Sequence, residues 1–284
     1  AGDLSVDGSL GSGTALLRTP YEGQPDSIGN AYLTAEEIAE HFMLCTQLGI
    51  QGGFHAIGEG ALDRVAHGLQ LAIDRLSLIE IRACRHRIEH AEMLDKKHYK
   101  LFAEAGVVLS VQPVFDELWG TTDGMYEQRV GRRRAAEMNA FAQYQQAGLV
   151  LAFGSDSPVT PMNPWRTIQA AVHHNQPNHA LSARGAFTAH TRGGWRAARL
   201  DDVGTISVGK PAHLAIWEVT EYENQQIDER QSRWSTDPRS GIQPLPNLNE
   251  GFPSCIATIR NGLPIYDVNN SFNVVNERNT DLKK

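Results

Sequence analysis

Cysteine is scarce in this chain, and Cys45, Cys84 and Cys255 stand far apart with no CxxC spacing. Neither a disulfide framework nor a zinc knuckle can be built from them, and a reducing, cytoplasmic setting fits. Cationic excess is also missing, because the net charge is −7. That excludes a nucleic-acid or anionic-membrane surface, both of which need clustered cations against phosphate, and leaves small molecules as the expected partners. No apolar run approaches the ~18 residues of a membrane span. The opening "AGDLSVDG" has neither a basic n-region nor an h-region. Repeats of low complexity are lacking too.

What remains is an ordinary globular composition, 41% hydrophobic and 21% charged over 284 residues, enough for a large core. One unit recurs five times: a short apolar run, a polar tip, then a helical pattern. "DLSVDG" is followed after a long loop by Thr34-Ala35-Glu36-Glu37, a capping-box spacing that opens a helix ending near Gly49. "GIQGGFH" precedes a helix from about Ala61 to Leu76. "CRHRIEH" precedes one that begins at Asp95 and ends at Ala105-Gly106. "GVVLSVQP" leads to a tip with Phe115, Trp119 and Tyr126 and a helix to Gly148, and "LVLAFGSDSP" to a helix opening at Pro164. Strands and helices alternating at this spacing predict right-handed crossovers and a parallel α/β sheet.

Such sheets hold ligands outside the carboxyl ends of their strands, and those ends carry His55, His90, Gln112 and Asp156. A lone strand-end histidine is more often a hydrogen-bonded core residue than a ligand. Two histidines and an aspartate from three strand ends form a mixed nitrogen and oxygen set that suits a divalent metal such as zinc. Glu89, next to His90, is expected on the opposite side of its strand as a structural acid. His173 and His174 are expected in a solvated or supporting role, and Arg132-Arg133-Arg134 as a solvated helix face. The aromatic tip reads equally as core or as pocket wall.

The stretches "HAIGEGALD", "RIEHAE", "SVQPVF", "AFGSDSPVTPMNPW" and "GTISVGKPAHLAIWE" resemble the metal-dependent amidohydrolase superfamily, in its amidohydrolase-3 or YtcJ-like branch, which includes N-substituted formamide deformylases. The similarity runs from "VDGSLGSGTALLRTPY" to "CIATIRNGLPIYD". It implies a (β/α)8 TIM barrel with a small β-sandwich, of which about strands four to eight are present. His55 would close strand five, His90 strand six and Asp156 strand eight, with all three as metal ligands and Asp156 and His90 as catalytic residues. Gln112, Phe115, Trp119 and Trp165 would line the substrate pocket.

Departures from the family pattern shape the remaining expectations. No H-x-H precedes "HAIGE", Asp3 stands where many relatives place a lysine, and Glu59 replaces an aspartate. The chain therefore reads as the C-terminal portion of a longer enzyme, with one tightly held metal in the complete protein. It is expected to be inactive alone and to form homo-oligomers through open strand edges. A signal peptide on a preceding segment stays compatible with this reading. The implied activity is metal-dependent hydrolysis of an amide-like, non-peptide carbon–nitrogen bond in a small molecule. The alternative is a noncatalytic interaction module that keeps the scaffold without a complete metal centre. Three segments follow: a barrel portion over 1–203, a sandwich remnant with a long polar loop over 204–268, and a mobile tail over 269–284.

Overall fold

In the computed structural model, residues 3–223 and 245–272 are described, and the chain divides between Arg199 and Leu200 into two compact units. Most of the expected polar loop, and the tail beyond residue 272, lie outside the described residues.

The first unit is built on strands β1 (Asp3–Ser5), β2 (Gly53–Ala56), β3 (Arg87–His90), β4 (Val108–Val111) and β5 (Val150–Phe153). They pair in parallel in the order β1-β2-β3-β4-β5. Sequential order with crossovers of one hand puts the connecting helices on one face, and the side chains agree. Phe54, Ile88 and Leu109 share a register row and are each fully buried. Phe42, from helix α1 (Ala35–Gln47), meets Phe54 edge-on at 4.8 Å.

Thr34 and Glu37 form the expected reciprocal capping box at the start of α1, at 3.2 and 2.8 Å, a feature that contributes about 1 kcal/mol. Helix α2 (Glu59–Arg75) begins two residues before its expected start, directly after Gly58. A Cβ at Gly58 would sit 2.0 Å from the Leu16 carbonyl oxygen, so only glycine lets the loop after β1 pass there.

The helix α3 (Leu78–Cys84) was not expected. Its signal is in the sequence all the same, because Ser77 caps it by accepting from the Glu80 amide at 3.2 Å. Helix α4 (Tyr99–Glu104) follows β3 through a short 3-10 turn. The aromatic tip after β4 is helical rather than a loop, with α5 (Pro113–Trp119), α6 (Met125–Val130) and α7 (Arg132–Ala135) leading to α8 (Phe141–Gln146). Pro164 opens helix α9 (Pro164–Val172) as expected, with Asn163 as its cap.

The second unit holds an antiparallel sheet in the order β10-β9-β6, from β6 (Leu214–Glu218), β9 (Ser254–Arg260) and β10 (Leu263–Asp267). The two-residue strands β7 (Tyr222–Glu223) and β8 (Leu245–Pro246) pair separately. The hairpin expected at Asn261-Gly262 joins β9 to β10, and both residues have positive φ, at 50° and 78°. That is the backbone of a tight type I′ turn.

Candidate functional site

The carboxyl ends of the five parallel strands bring Asp7, His55, His90, Gln112 and Asp156 to one edge of the sheet. Register decides which of them can meet. His55 pairs with Glu89, and Glu89 with Ser110, so these side chains share the face opposite Phe54, Ile88 and Leu109. This corrects the expectation that Glu89 points away from the site. It lies on the side of His55 and is held by the Arg87 guanidinium, which also reaches Asp3 at 3.2 Å and Gln51 at 2.7 Å.

Strand alternation would send His90 to the helix side instead. Its backbone turns it back: His90 and Ala91 have φ of 74° and 50°, a left-handed conformation uncommon for residues with a Cβ. The rings of His55 and His90 then meet edge-on, 4.5 Å apart. Left-handed backbone held by its surroundings often marks a working site.

Hydrogen bonds fix the two tautomers in opposite senses. His90 Nδ1 lies 3.0 Å from Gln112 Oε1, and an amide oxygen only accepts, so Nδ1 carries the proton and Nε2 keeps its lone pair. His55 Nε2 donates to the Gly8 carbonyl at 3.0 Å, which frees its Nδ1. Burial lowers the His90 pKa to about 4, with His55 adding to the effect and Gln112 opposing it.

Asp156 lies three residues beyond β5 rather than closing it, at a φ of 52°, and is exposed. Burial raises its pKa, His55 pulls it back and Asp3 pushes it up. Asp156 is therefore within electrostatic reach of His55. Among the described residues, no group of three or more histidine, cysteine, aspartate or glutamate side chains is gathered closely enough to hold a metal. The donor chemistry nonetheless fits a divalent ion as far as it goes: two imidazoles, each with one ring nitrogen outside its hydrogen bond, and a nearby carboxylate are part of a zinc-type set.

The aromatic residues divide between the two readings left open for them. Phe115 is buried and stacks against the His90 ring at 6.0 Å, and Trp119 packs on Phe115 at 4.6 Å. Tyr126 is core. Trp165 is buried on α9 and stacks on Phe187.

Of the two roles left open for His173 and His174, His173 is exposed and His174 takes the supporting one: it is buried, Nε2 donates to the Asn139 carbonyl at 3.0 Å and Nδ1 accepts from the Gln176 amide at 2.9 Å. The expectation of a solvated arginine face is corrected in part. Arg132 and Arg133 are exposed, but Arg134 turns inward and donates to the carbonyls of Val130, Thr19 and Pro20.

Two carboxylates behind the histidines were missed. Asp7 is 1% exposed, and its oxygens accept from the amides of Leu16, Ile57 and Gly58 at 2.8, 3.0 and 2.9 Å. It also lies 3.8 Å from His55 Nε2. Burial raises its pKa to about 6 against those three amides. The available signal was the position of Asp7, two residues past β1 at the same edge as the others. Glu92 is buried and raised to about 7, first by burial and then by Asp7 and Asp156, with the Tyr126 hydroxyl opposing. Nothing in the sequence marks it.

These shifts oppose one another in acid. His86 and His174 are each held near about 4, mainly by burial. The unfolded chain protonates them near 6.5, so the stability they contribute above that value is lost as pH falls through about 4. Glu92 and Asp7 act the other way, because a raised carboxylate pKa makes the folded state the better proton binder as pH falls below about 7 and about 6. Glu92→Gln is therefore expected to steepen the loss of stability between pH 6.5 and 4.5 by roughly 2 kcal/mol. Urea midpoints at the two pH values measure it, and an unchanged slope would remove Glu92 from this balance.

Residues 1–266 match the model of the amidohydrolase family. The chain is 31% identical over 232 residues to the Arabidopsis thaliana protein LONG AFTER FAR-RED 3, covering 78% of this chain and 39% of that protein. It is 29% identical over 173 residues to the Bacillus subtilis amidohydrolase YtcJ, covering 60% and 30%. It is 23% identical over 204 residues to an N-substituted formamide deformylase of Arthrobacter pascens, covering 69% and 36%. The chain thus spans less than half the length of these relatives. Among solved structures, a metal-dependent hydrolase of Pyrococcus furiosus superposes with a TM-score of 0.64 at 30% identity, over 74% of this chain and 42% of that one. A zinc complex of the atrazine chlorohydrolase from Arthrobacter aurescens shares the fold, with a TM-score of 0.54 at 18% identity over 84% and 49%.

Proposed function

Because this chain belongs to the amidohydrolase family, we propose that it forms the C-terminal portion of a metal-dependent hydrolase acting on a non-peptide, amide-like carbon–nitrogen bond of a small molecule. One observation carries the reading. His55 and His90 are in ring contact with opposite tautomers, and each presents a free nitrogen at the edge where a parallel α/β sheet keeps its chemistry.

His55 through Nδ1 and His90 through Nε2 would hold the ion, with Asp156 as the nearby carboxylate. When bound, a divalent metal, zinc by this donor chemistry, supplies the Lewis acidity that acidifies water and polarises a carbonyl. Gln112 keeps the His90 proton on Nδ1, so that Nε2 stays available. Asp156 would accept the proton of the attacking water and return it to the departing amine, the duty of a positioned general base and acid. Phe115, Trp119 and Trp165 form the apolar wall, which selects by size more than by chemical identity.

Hydrolysis of N-substituted formamides with added zinc tests the proposal, using the chain alone and the chain joined to a barrel segment that carries an H-x-H strand. The joined form is expected to hydrolyse and to lose activity on chelation, and the chain alone to be inactive. Absence of metal-dependent carbon–nitrogen hydrolysis from both forms would overturn it. The incomplete ligand grouping among the described residues favours a second reading, a noncatalytic module. The same result, inactivity of both forms, would support that one.

A further inference from the structure

Away from the histidine pair, a cavity of about 280 Å³ opens between the start of α2, the segment after β3, and α7 to α8. None of His55, His90, Gln112 or Asp156 lines it. Its volume lies just below the ~300 Å³ at which ligand pockets begin, so it suits a molecule of a few heavy atoms.

The polar atoms that lack partners here are acceptors. Glu59 is 8% exposed, and its Oε2 is buried without a hydrogen-bond partner. Gln143 Oε1 is in the same condition on the same cavity. His179, also in the lining, donates from Nδ1 to the Met138 carbonyl at 3.1 Å, and burial disfavours its charged form, so Nε2 is a third acceptor.

The cations of the lining are already engaged, Arg134 in part by a long ion pair with Glu59 itself. Arg18 is held by Asp63 at 2.6 Å and by Asp95 at 2.7 Å. Arg134 spends its donors on three backbone carbonyls and stays 3.9 Å from Glu59 Oε1. Lys96 and Glu137 are both exposed and offset one another in charge.

A buried acceptor without a donor costs free energy that a ligand bringing N–H groups recovers. We propose that this cavity is a binding site for a small organic cation, an alkylammonium or guanidinium ion whose N–H donors engage Glu59 Oε2, Gln143 Oε1 and His179. Burial raises the Glu59 pKa against the fields of Arg134 and Arg18, and a bound cation adds to those fields and favours the carboxylate, whereas an anion would meet three lone pairs instead of donors.

The test is a ligand-observed NMR titration of the intact 284-residue chain with propylammonium, methylguanidinium, propanamide and propionate. Saturable binding of at least one cation is expected, with propanamide and propionate at least ~10-fold weaker, the size of one charge-assisted hydrogen bond. Which cation binds more tightly distinguishes the ammonium from the guanidinium form. Glu59→Gln keeps the side-chain volume and is expected to lose at least ~10-fold in affinity. Should that variant fail to fold, Gln143→Leu on the partly exposed α8 is expected to weaken binding while the urea midpoint holds. The proposal is overturned if neither cation saturates, if propionate or propanamide binds as tightly as the cations, or if the folded variants keep wild-type affinity.

Discussion

Replacing Asp7 with alanine is expected to destabilise the chain by roughly 3 kcal/mol, because three buried backbone amides lose their acceptor and each orphaned donor costs roughly 1–3 kcal/mol. The amides belong to Leu16, Ile57 and Gly58, and their bonds to Asp7 tie the loop after β1 to the end of β2. Removing the carboxylate also removes its own burial cost, visible in a pKa raised to about 6, and this offsets part of the loss. Asp7→Asn should fall between the two. One amide oxygen can still accept from Leu16 and Gly58 at the former Oδ2 position, while the NH2 group then faces the Ile57 donor. Urea unfolding of the three proteins at pH 7 gives the order directly. An alanine variant within ~1 kcal/mol of wild type would mean that water reaches those amides and that Asp7 is not their anchor. A second consequence follows from the 3.8 Å between Asp7 and His55 Nε2. The asparagine variant should keep the fold yet let the His55 imidazole shift, seen as a changed ring-proton signal by NMR.

The second large effect is catalytic. In the hydrolytically competent form, Asp156→Asn should leave the fold intact and lower kcat at least ~100-fold, the lower end of what a positioned acid–base group contributes. The side chain is exposed and its backbone already has positive φ, a conformation that asparagine tolerates well, so stability should hardly change. KM should move little if the carboxylate acts on the proton rather than on substrate binding. Matched urea midpoints together with kcat and KM settle the matter, and near-normal turnover in the folded variant would take Asp156 out of the mechanism.

Much of this is legible in the sequence. Strand ends are chemically conspicuous: the histidine in "GFHA", the histidine in "RIEH", the glutamine after "VLSV" and the aspartate after "VLAF" each interrupt an apolar run where a parallel sheet exposes its ligand edge. Helix α1 was legible from its capping box and α9 from Pro164. Helix α3 carried the same kind of signal in Ser77 and Glu80, but its seven residues are too few to show a clear apolar period. The helical character of the aromatic tip was hidden because α5, α6 and α7 are short and joined through glycines at 120, 124 and 131.

The sequence by itself determined the alternation of strands and helices, the edge at which polar side chains collect, and the family. All of these depend on local pattern and on the order of motifs along the chain. Only the tertiary structure decided which side chains face one another. Parity along β3 pointed Glu89 away and His90 in; register with β2 and the left-handed turn at His90 and Ala91 put both on the side of His55. Burial was equally out of reach. Asp7, Glu92 and His174 look like ordinary polar residues in the sequence, and their protonation is set by surrounding groups far away along the chain, as Asp7 acts on Glu92 and Gly58 on Asp7. Such contacts are fixed by packing, which no local pattern encodes.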